Sequence, residues 1–344
     1  MIKRVGLVFL LSLISLAAFS DAYVPTKAEQ QKMLQEADDW IDDMPDGLQD
    51  RLSDAVNHSL HGFLSEIELY RNINDTTGIG KYKVSVKDIN GGKNSNIKMR
   101  LYSGKNAKPN QPVLVYFHGG GWSVGSLTTS DRFCRALASE GNVKIVSVAY
   151  PLAPENPYPS ALNICEEAIE YISGKVKDWG GDPNRISLGG DGAGGNLALA
   201  AFFGLKKKSS GVKIKSLVLY YPLLNVSKPL SPEMRRKFGR GYGMDSRVLE
   251  AFVKAYNVPG NIFLDDYLAN PSEAPVSNLK TLPPVLLITA GRDLIIEDIQ
   301  KFKSKVPSMT YVEFEGAIHG FTTDNHQPTA FKKSVELTNL FLTK

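Results

Sequence analysis

The 344-residue sequence predicts an α/β protein: a mostly parallel central sheet with helices on both faces and a helical cap. Three observations carry this. Strand-like and helix-like segments alternate from Val113 to the C-terminus, the order that crossover helices impose on a parallel sheet. Two segments of alternating polarity come before, so an antiparallel pair begins the sheet. A long polar stretch, 226–274, then breaks the rhythm with helical spacing and no strand, as a lid beside a sheet edge does.

In chain order, "KAEQQKMLQEADDWIDDM" and "GLQDRLSDAVNHSLHGFLSEIELYRN" place apolar residues at three-four spacing and predict amphipathic helices. "YKVSVKDI" and "NIKMRLYS" predict strands around the turn "NGGKNS". "PVLVYFHG" is apolar without interruption, so both of its faces are covered. The helix "SDRFCRALASEG", the strand "VKIVSVAY" and a helix over Pro159–Trp179 follow. "RISLGGDG" runs into the helix "GGNLALAAFFGLKKK"; "KSLVLYYPLL", "PPVLLITAG" and "MTYVEFEG" complete the strands. The expected division is 1–22 signal, 23–80 N-terminal cap segment, 81–225 first part of the core, 226–274 lid, and 275–344 second part of the core.

Composition excludes several classes. Apolar residues at 42% and charged residues at 22% belong to a globular chain with a full core. A net charge of +4 gives no nucleic-acid footprint; "KKKSSGVKIK" lacks interleaved aromatics and reads as a solvated helix end and loop. "MIKR", the apolar "VGLVFLLSLISLAAF" and small residues up to Ala22 form an export signal, cleaved after Ser20 or Ala22. The expectation is a periplasmic or secreted protein with no stable membrane span, the alternative being a signal anchor. Cys134 and Cys165 both fall in predicted helices and read as buried free thiols, and Asn57, Asn74 and Asn225 begin sequons.

The stretch "GGDGAGGN", Gly189–Asn196, holds five glycines and no nucleophile. Gly190, Gly192 and Gly195 satisfy a dinucleotide fingerprint between a strand and a helix. That reading is chemically poor. Asp191 places a carboxylate beside the phosphates, and the next strand ends without an acid for the ribose, Glu233 coming too late. "YFHGGGWSVGS" is the more specific signal: a buried strand ends in His118 and three glycines, whose amides can converge on a developing oxyanion.

"HGGGW", "YPLAPENPYPSAL", "DPNRISLGGDGAGGNLA", "LPPVLLITAGRDLIIED" and "GAIHGF", in this order, resemble the hormone-sensitive-lipase family of α/β-hydrolases (HGGG-type, family IV). That family includes bacterial carboxylesterases and arylacetamide deacetylases, and the resemblance runs from about Tyr82 to the C-terminus. It implies the α/β-hydrolase fold with a cap, serine-dependent hydrolysis of small esters, and no metal or cofactor. It places the oxyanion amides on Gly120, Gly121 and Ala193, the acid on Asp293 and the base on His319. Glu297 and Asp298 read as helix-start carboxylates, and His58, His61 and His326 as surface residues. His118, Trp122, Tyr221 and Phe321 are expected to line the substrate. The resemblance also implies a homodimer through the last strand and helix.

Two positions depart from the family. Pro151 stands in "YPLAPE" where the family usually has arginine. Where the family has Gly-Asp-Ser-Ala-Gly-Gly, this chain has Gly192 at the serine position; Ser187 lies too far upstream to substitute, and Asp191 is expected to point away from the base. The expectation is therefore a carboxylesterase scaffold that binds esters but is inactive or strongly impaired. The alternative is a non-catalytic, small-ligand-binding protein of the same fold. Glycine would also relieve a strained turn on the order of 1–3 kcal/mol.

Overall fold

Val113–Phe117 is apolar at every position because the strand it forms is covered on both faces. In the computed structural model, which describes residues 24–43, 79–93, 96–105, 107–140, 142–257, 262, 265–323 and 325–344, all of β3 (Gln111–Phe117) is buried. Alternation then sorts its side chains. Val113, Val115 and Phe117 enter one apolar layer, and Leu114 and Tyr116 the opposite one. The first layer is closed by α3 (Ser160–Lys175) and α4 (Ala193–Lys207), the second by α2 (Asp131–Glu140) and α9 (Pro328–Leu342).

The sheet has eight strands in the order β1-β2-β4-β3-β5-β6-β7-β8. β1 (Val84–Gly91) and β2 (Ile97–Gly104) pair antiparallel, and β2 runs antiparallel to β4 (Lys144–Val148). Every later pairing is parallel, through β5 (Gly181–Asp191), β6 (Ser216–Tyr220), β7 (Val285–Ala290) and β8 (Thr310–Phe314). The predicted antiparallel start and parallel remainder are both present. β5 begins four residues earlier than expected, because Gln111 pairs Gly181 across a register shift.

The helix predicted to reach Trp179 ends at Lys175. Beyond it, Trp179 N–H bonds to Val176 O and Gly180 N–H to Lys177 O, and Gly180, at φ 75°, turns the chain into β5. The insertion between β6 and β7 carries α5 (Pro232–Phe238) and α6 (Ser246–Tyr256), capped by Ser231 and Asp245 whose side chains accept from Met234 and Arg247 amides. A short α7 (Val276–Leu279) precedes β7, and α8 (Ile296–Lys305) follows it. The N-terminal α1 (Lys27–Asp43) lies against α9 and β8: both Glu36 carboxylate oxygens accept from Thr329, and Gln30 donates to Glu313 O at 2.9 Å.

Cys134 and Cys165 are buried and free. Asn225 is buried, and its Oδ1 accepts from the Ser227 and Lys228 amides. The signal region, the second predicted helix, Asn57, Asn74, His58 and His61 lie outside the described residues; His326 is described and exposed. Among the described residues no helix is long and apolar enough to cross a membrane.

Candidate active site

The glycine run is resolved by what a Cβ would meet at each position. At Gly189 it would come 2.7 Å from Val218 O, at Gly190 2.4 Å from Phe117 O, at Gly194 1.9 Å from Phe117 O, and at Gly195 2.8 Å from the Pro222 side chain. These four allow β5 and the start of α4 to press against β3 and β6. Their glycines thus answer to close packing of the backbone, with no phosphate needed to explain them. Gly192 differs. Its φ of 51° and ψ of −115° fall where L side chains are strained, yet the nearest atom to its Cβ position is His319 Nε2 at 3.5 Å. Its own amide donates to Tyr220 O, and its carbonyl accepts from Leu223 and Asn196. This turn is held rigidly, and its open side faces one imidazole.

That imidazole is set by β7 and β8. His319, in the loop after β8, bonds through Nδ1 to Asp293 Oδ2 at 2.8 Å. Asp293 is fully buried, and its other oxygen accepts from the Ile295 amide at 3.2 Å. In the neutral imidazole, with Nδ1 donating to the carboxylate, Nε2 presents its lone pair toward Gly192. Burial works against the imidazolium, but Asp293, assisted by Asp191, overcomes it and holds His319 above its ordinary value. By linkage, this raised group stabilises the fold fully below its unfolded value near 6.5, and the contribution is lost as pH rises through the higher folded value. Asp293→Asn keeps an acceptor but removes the charge, so the His319 midpoint is expected to fall. An NMR titration of the imidazole protons checks this, and an unchanged midpoint would refute it.

Asp191 sits on the far side of the turn. Its Oδ1 accepts from Tyr116 OH at 2.7 Å and from the Gly119 amide at 2.9 Å, so it pins the loop after β3 and does not bond the imidazole. Burial raises its pKa, only partly offset by the Tyr116 and Gly119 bonds. Asp191→Ala strands the buried Tyr116 hydroxyl and the half-buried Gly119 amide, expected to cost roughly 2–3 kcal/mol; Asp191→Asn still accepts from both and is expected to cost less than half as much. Urea unfolding of the two variants measures the difference, and equal losses would contradict the anchoring role.

The loop after β3 reverses direction through Gly120 (φ 108°), Gly121 (φ 56°) and Trp122 (φ 59°). Gly120 O accepts from the Ser123 and Val124 amides, while the amides of Gly120, Gly121 and Ala193 have no protein acceptor among the described residues. Phe252 of α6 packs over Gly121, so the insertion covers this loop. His118 is buried with Nδ1 2.8 Å from Gly119 O, its ring stacked on Tyr150 at 4.3 Å, and burial pushes its pKa down to about 4. Trp122 is fully buried and stacked on Tyr256 at 4.1 Å.

Tyr221, strained at φ 32°, holds its ring 4.6 Å from that of His319 and bonds Thr322 through its hydroxyl. Phe321, also fully buried, meets Tyr221 edge-on at 4.6 Å. Of the residues singled out from sequence, Gly192, Asp293, His319, Tyr221 and Phe321 come together, and Ala193 follows Gly192 at the start of α4. His118 and Trp122 pack into aromatic pairs beside the glycine loop. Glu297 and Asp298 fall in the first turn of α8, Glu297 pairing Lys301 at 2.6 Å. Sequence reasoning missed the roles of Tyr116, Tyr150 and Tyr256, since one aromatic on an apolar strand or helix looks like another. Among the described residues no cluster of His, Cys, Asp or Glu could hold a metal.

Residues 114–323, spanning all of these groups, match the family described as the α/β-hydrolase fold. The chain belongs to the α/β-hydrolase fold family. It is similar to carboxylesterase NlhH of Mycobacterium tuberculosis, 35% identical over 207 residues that cover 59% of this chain and 63% of that protein. The match thus spans less than two thirds of that relative's length. Among solved structures, LAE6, an α/β-hydrolase enzyme from the metagenome of Lake Arreo, Spain, superposes with a TM-score of 0.75 at 25% identity, covering 91% of this chain and all of that one. EstE1, a thermostable carboxylesterase from a metagenomic library, gives 0.70 at 26% identity over 80% and 95%. The chain thus has the α/β-hydrolase fold and is similar to carboxylesterases.

Proposed function

We propose that position 192 is the nucleophile position of this carboxylesterase scaffold, and that glycine there leaves the chain inactive or strongly impaired while it still binds short acyl esters. One observation carries the reading: a side chain at 192 would be directed at His319 Nε2, with its Cβ 3.5 Å away. Without a hydroxyl no acyl-enzyme forms. The amides of Gly120, Gly121 and Ala193 are in this reading the donors for an ester carbonyl, and His319, oriented by Asp293, the base for a water. Such a remnant retains roughly 10³–10⁴-fold acceleration over water. Tyr221 borders the imidazole directly, Phe321 packs edge-on against Tyr221, and His118 and Trp122 flank the glycine loop in aromatic pairs.

The test is restoration of serine at 192 and measurement of p-nitrophenyl acetate turnover; no gain sinks the reading. A second reading is favoured by the strain that glycine relieves at φ 51°. It is a binding protein that holds a small ligand and releases it unchanged, and it predicts low turnover even after serine is restored. The N-terminal charged and apolar run supports export to the periplasm or medium.

A further inference from the structure

Three segments distant in sequence converge on the residue just before Asp293. Arg292 is largely buried, and its Nη1 lies 2.7 Å from Asp38 Oδ1 of α1, a close ion pair without hydrogen-bond geometry. It also lies over the Tyr242 ring, 5.1 Å from the centroid, in the segment between α5 and α6. Its backbone amide donates to Ala317 O at 3.1 Å, two residues before His319. We propose that Arg292 is a positioning residue for the Asp293–His319 pair, tying α1 and the segment before α6 to the turn that carries the acid.

Close backbone packing flanks this turn on both sides. Gly291 is pressed against the backbone of Glu315, where a Cβ would fall 2.7 Å from its Cα, and its amide donates to Phe314 O. Gly316 is pressed in the same way against α1, its Cβ position 2.4 Å from Leu34 N. On the opposite side, a Cβ at Gly243 would lie 3.2 Å from His319 O and 3.5 Å from Trp40. Tyr242 therefore borders Arg292 and the adjacent Gly243 borders His319, while Asp38 of α1 pairs with Arg292 and Trp40 lies beside Gly243. Half of Asp38 is exposed, so the ion pair by itself adds little stability. Its effect is on geometry: a small slide of the Asp293 turn lengthens the 2.8 Å contact to His319.

The test uses the chain as it stands, without an ester. The groups facing His319 are Asp293, Asp191 and the Tyr221 ring; those facing Arg292 are Asp38 and Tyr242. Removing a nearby cation acts electrostatically to raise the His319 midpoint, whereas loosening the Asp293 contact lowers it. Arg292→Ala is expected to lower the midpoint and to lose the low-field NMR resonance of the Nδ1 proton; Arg292→Lys recovers part of both. Glu36→Gln, which loosens α1 at Thr329 away from the pair, is expected to reduce stability and leave both readouts as they were.

A raised or unchanged midpoint in Arg292→Ala overturns the proposal, as does an equal change in Glu36→Gln. Should Arg292→Ala not fold, Asp38→Asn and Tyr242→Leu each remove one contact, and silence in both overturns it equally. In the Gly192→Ser chain Arg292→Ala is expected to lower kcat about tenfold with KM retained. That last arm alone rests on the ester reading. Absence of ester turnover alongside the NMR changes therefore counts against the ester reading and supports the positioning role.

Discussion

Gly192→Ser is expected to raise p-nitrophenyl acetate turnover by roughly 10³-fold or more, the largest change any single substitution should bring to this chain. The argument is geometric. A Cβ at 192 already stands in ordinary contact with His319 Nε2, at 3.5 Å, and meets nothing else within 4 Å except the adjacent ring carbon. A serine Oγ lies one bond further and can donate to that nitrogen in a staggered rotamer. His319 is bonded to Asp293 and held above its ordinary value, so it is a stronger base than a free imidazole. The amides of Gly120, Gly121 and Ala193 are unengaged by other protein groups among the described residues. Gly192→Ala supplies the matched control, with the same backbone strain and no hydroxyl; it should gain nothing. Covalent labelling by a fluorophosphonate should follow the serine alone. Turnover that stays at the parent level in a folded Gly192→Ser chain would remove position 192 from the chemistry.

Much of the scaffold was legible because period and composition report burial directly. The unbroken apolar run Val113–Phe117 required a strand covered twice, and its alternate residues do enter two different layers. The glycine run was legible as a special turn but not as a division of labour. Sequence cannot tell a glycine needed for a close approach from one needed for a positive φ; only the neighbours across β3 and β6 separate Gly194 from Gly192. Asp191 was expected to point away from the base, but its partners Tyr116 and Gly119 lie some seventy residues earlier and bear no local signal. The same holds for Arg292, whose meaning depends on Asp38 and Tyr242. The overlong α3 shows the usual weakness of helix ends, where amphipathic spacing runs on into turns that Gly180 closes.

Gly194→Ala is expected to be the most destabilising glycine substitution among those flanking the site, costing about 3 kcal/mol or more. The Cβ would fall 1.9 Å from Phe117 O, 2.5 Å from Phe117 C and 2.6 Å from His118 O. All three are backbone atoms at the end of β3 and the residue after it, so no side chain can swing aside; α4 must move from β3. Gly192→Ala meets no such wall and should cost only the strain of φ 51°, about 1–3 kcal/mol. Gly174, within α3, has nothing within 4 Å, and alanine there should stabilise by about 0.5–1 kcal/mol through helix propensity. Urea midpoints at unchanged m-value therefore order the variants as Gly174→Ala above the parent, then Gly192→Ala, then Gly194→Ala. The displacement at 194 also moves the glycine loop after β3 relative to His319. Combined with Gly192→Ser, it should cut the recovered ester turnover by far more than the fraction of unfolded protein explains. A Gly194→Ala chain as stable as Gly192→Ala would mean that β3 and α4 are not in this close contact, and the placement of the glycine loop beside position 192 would fall with it.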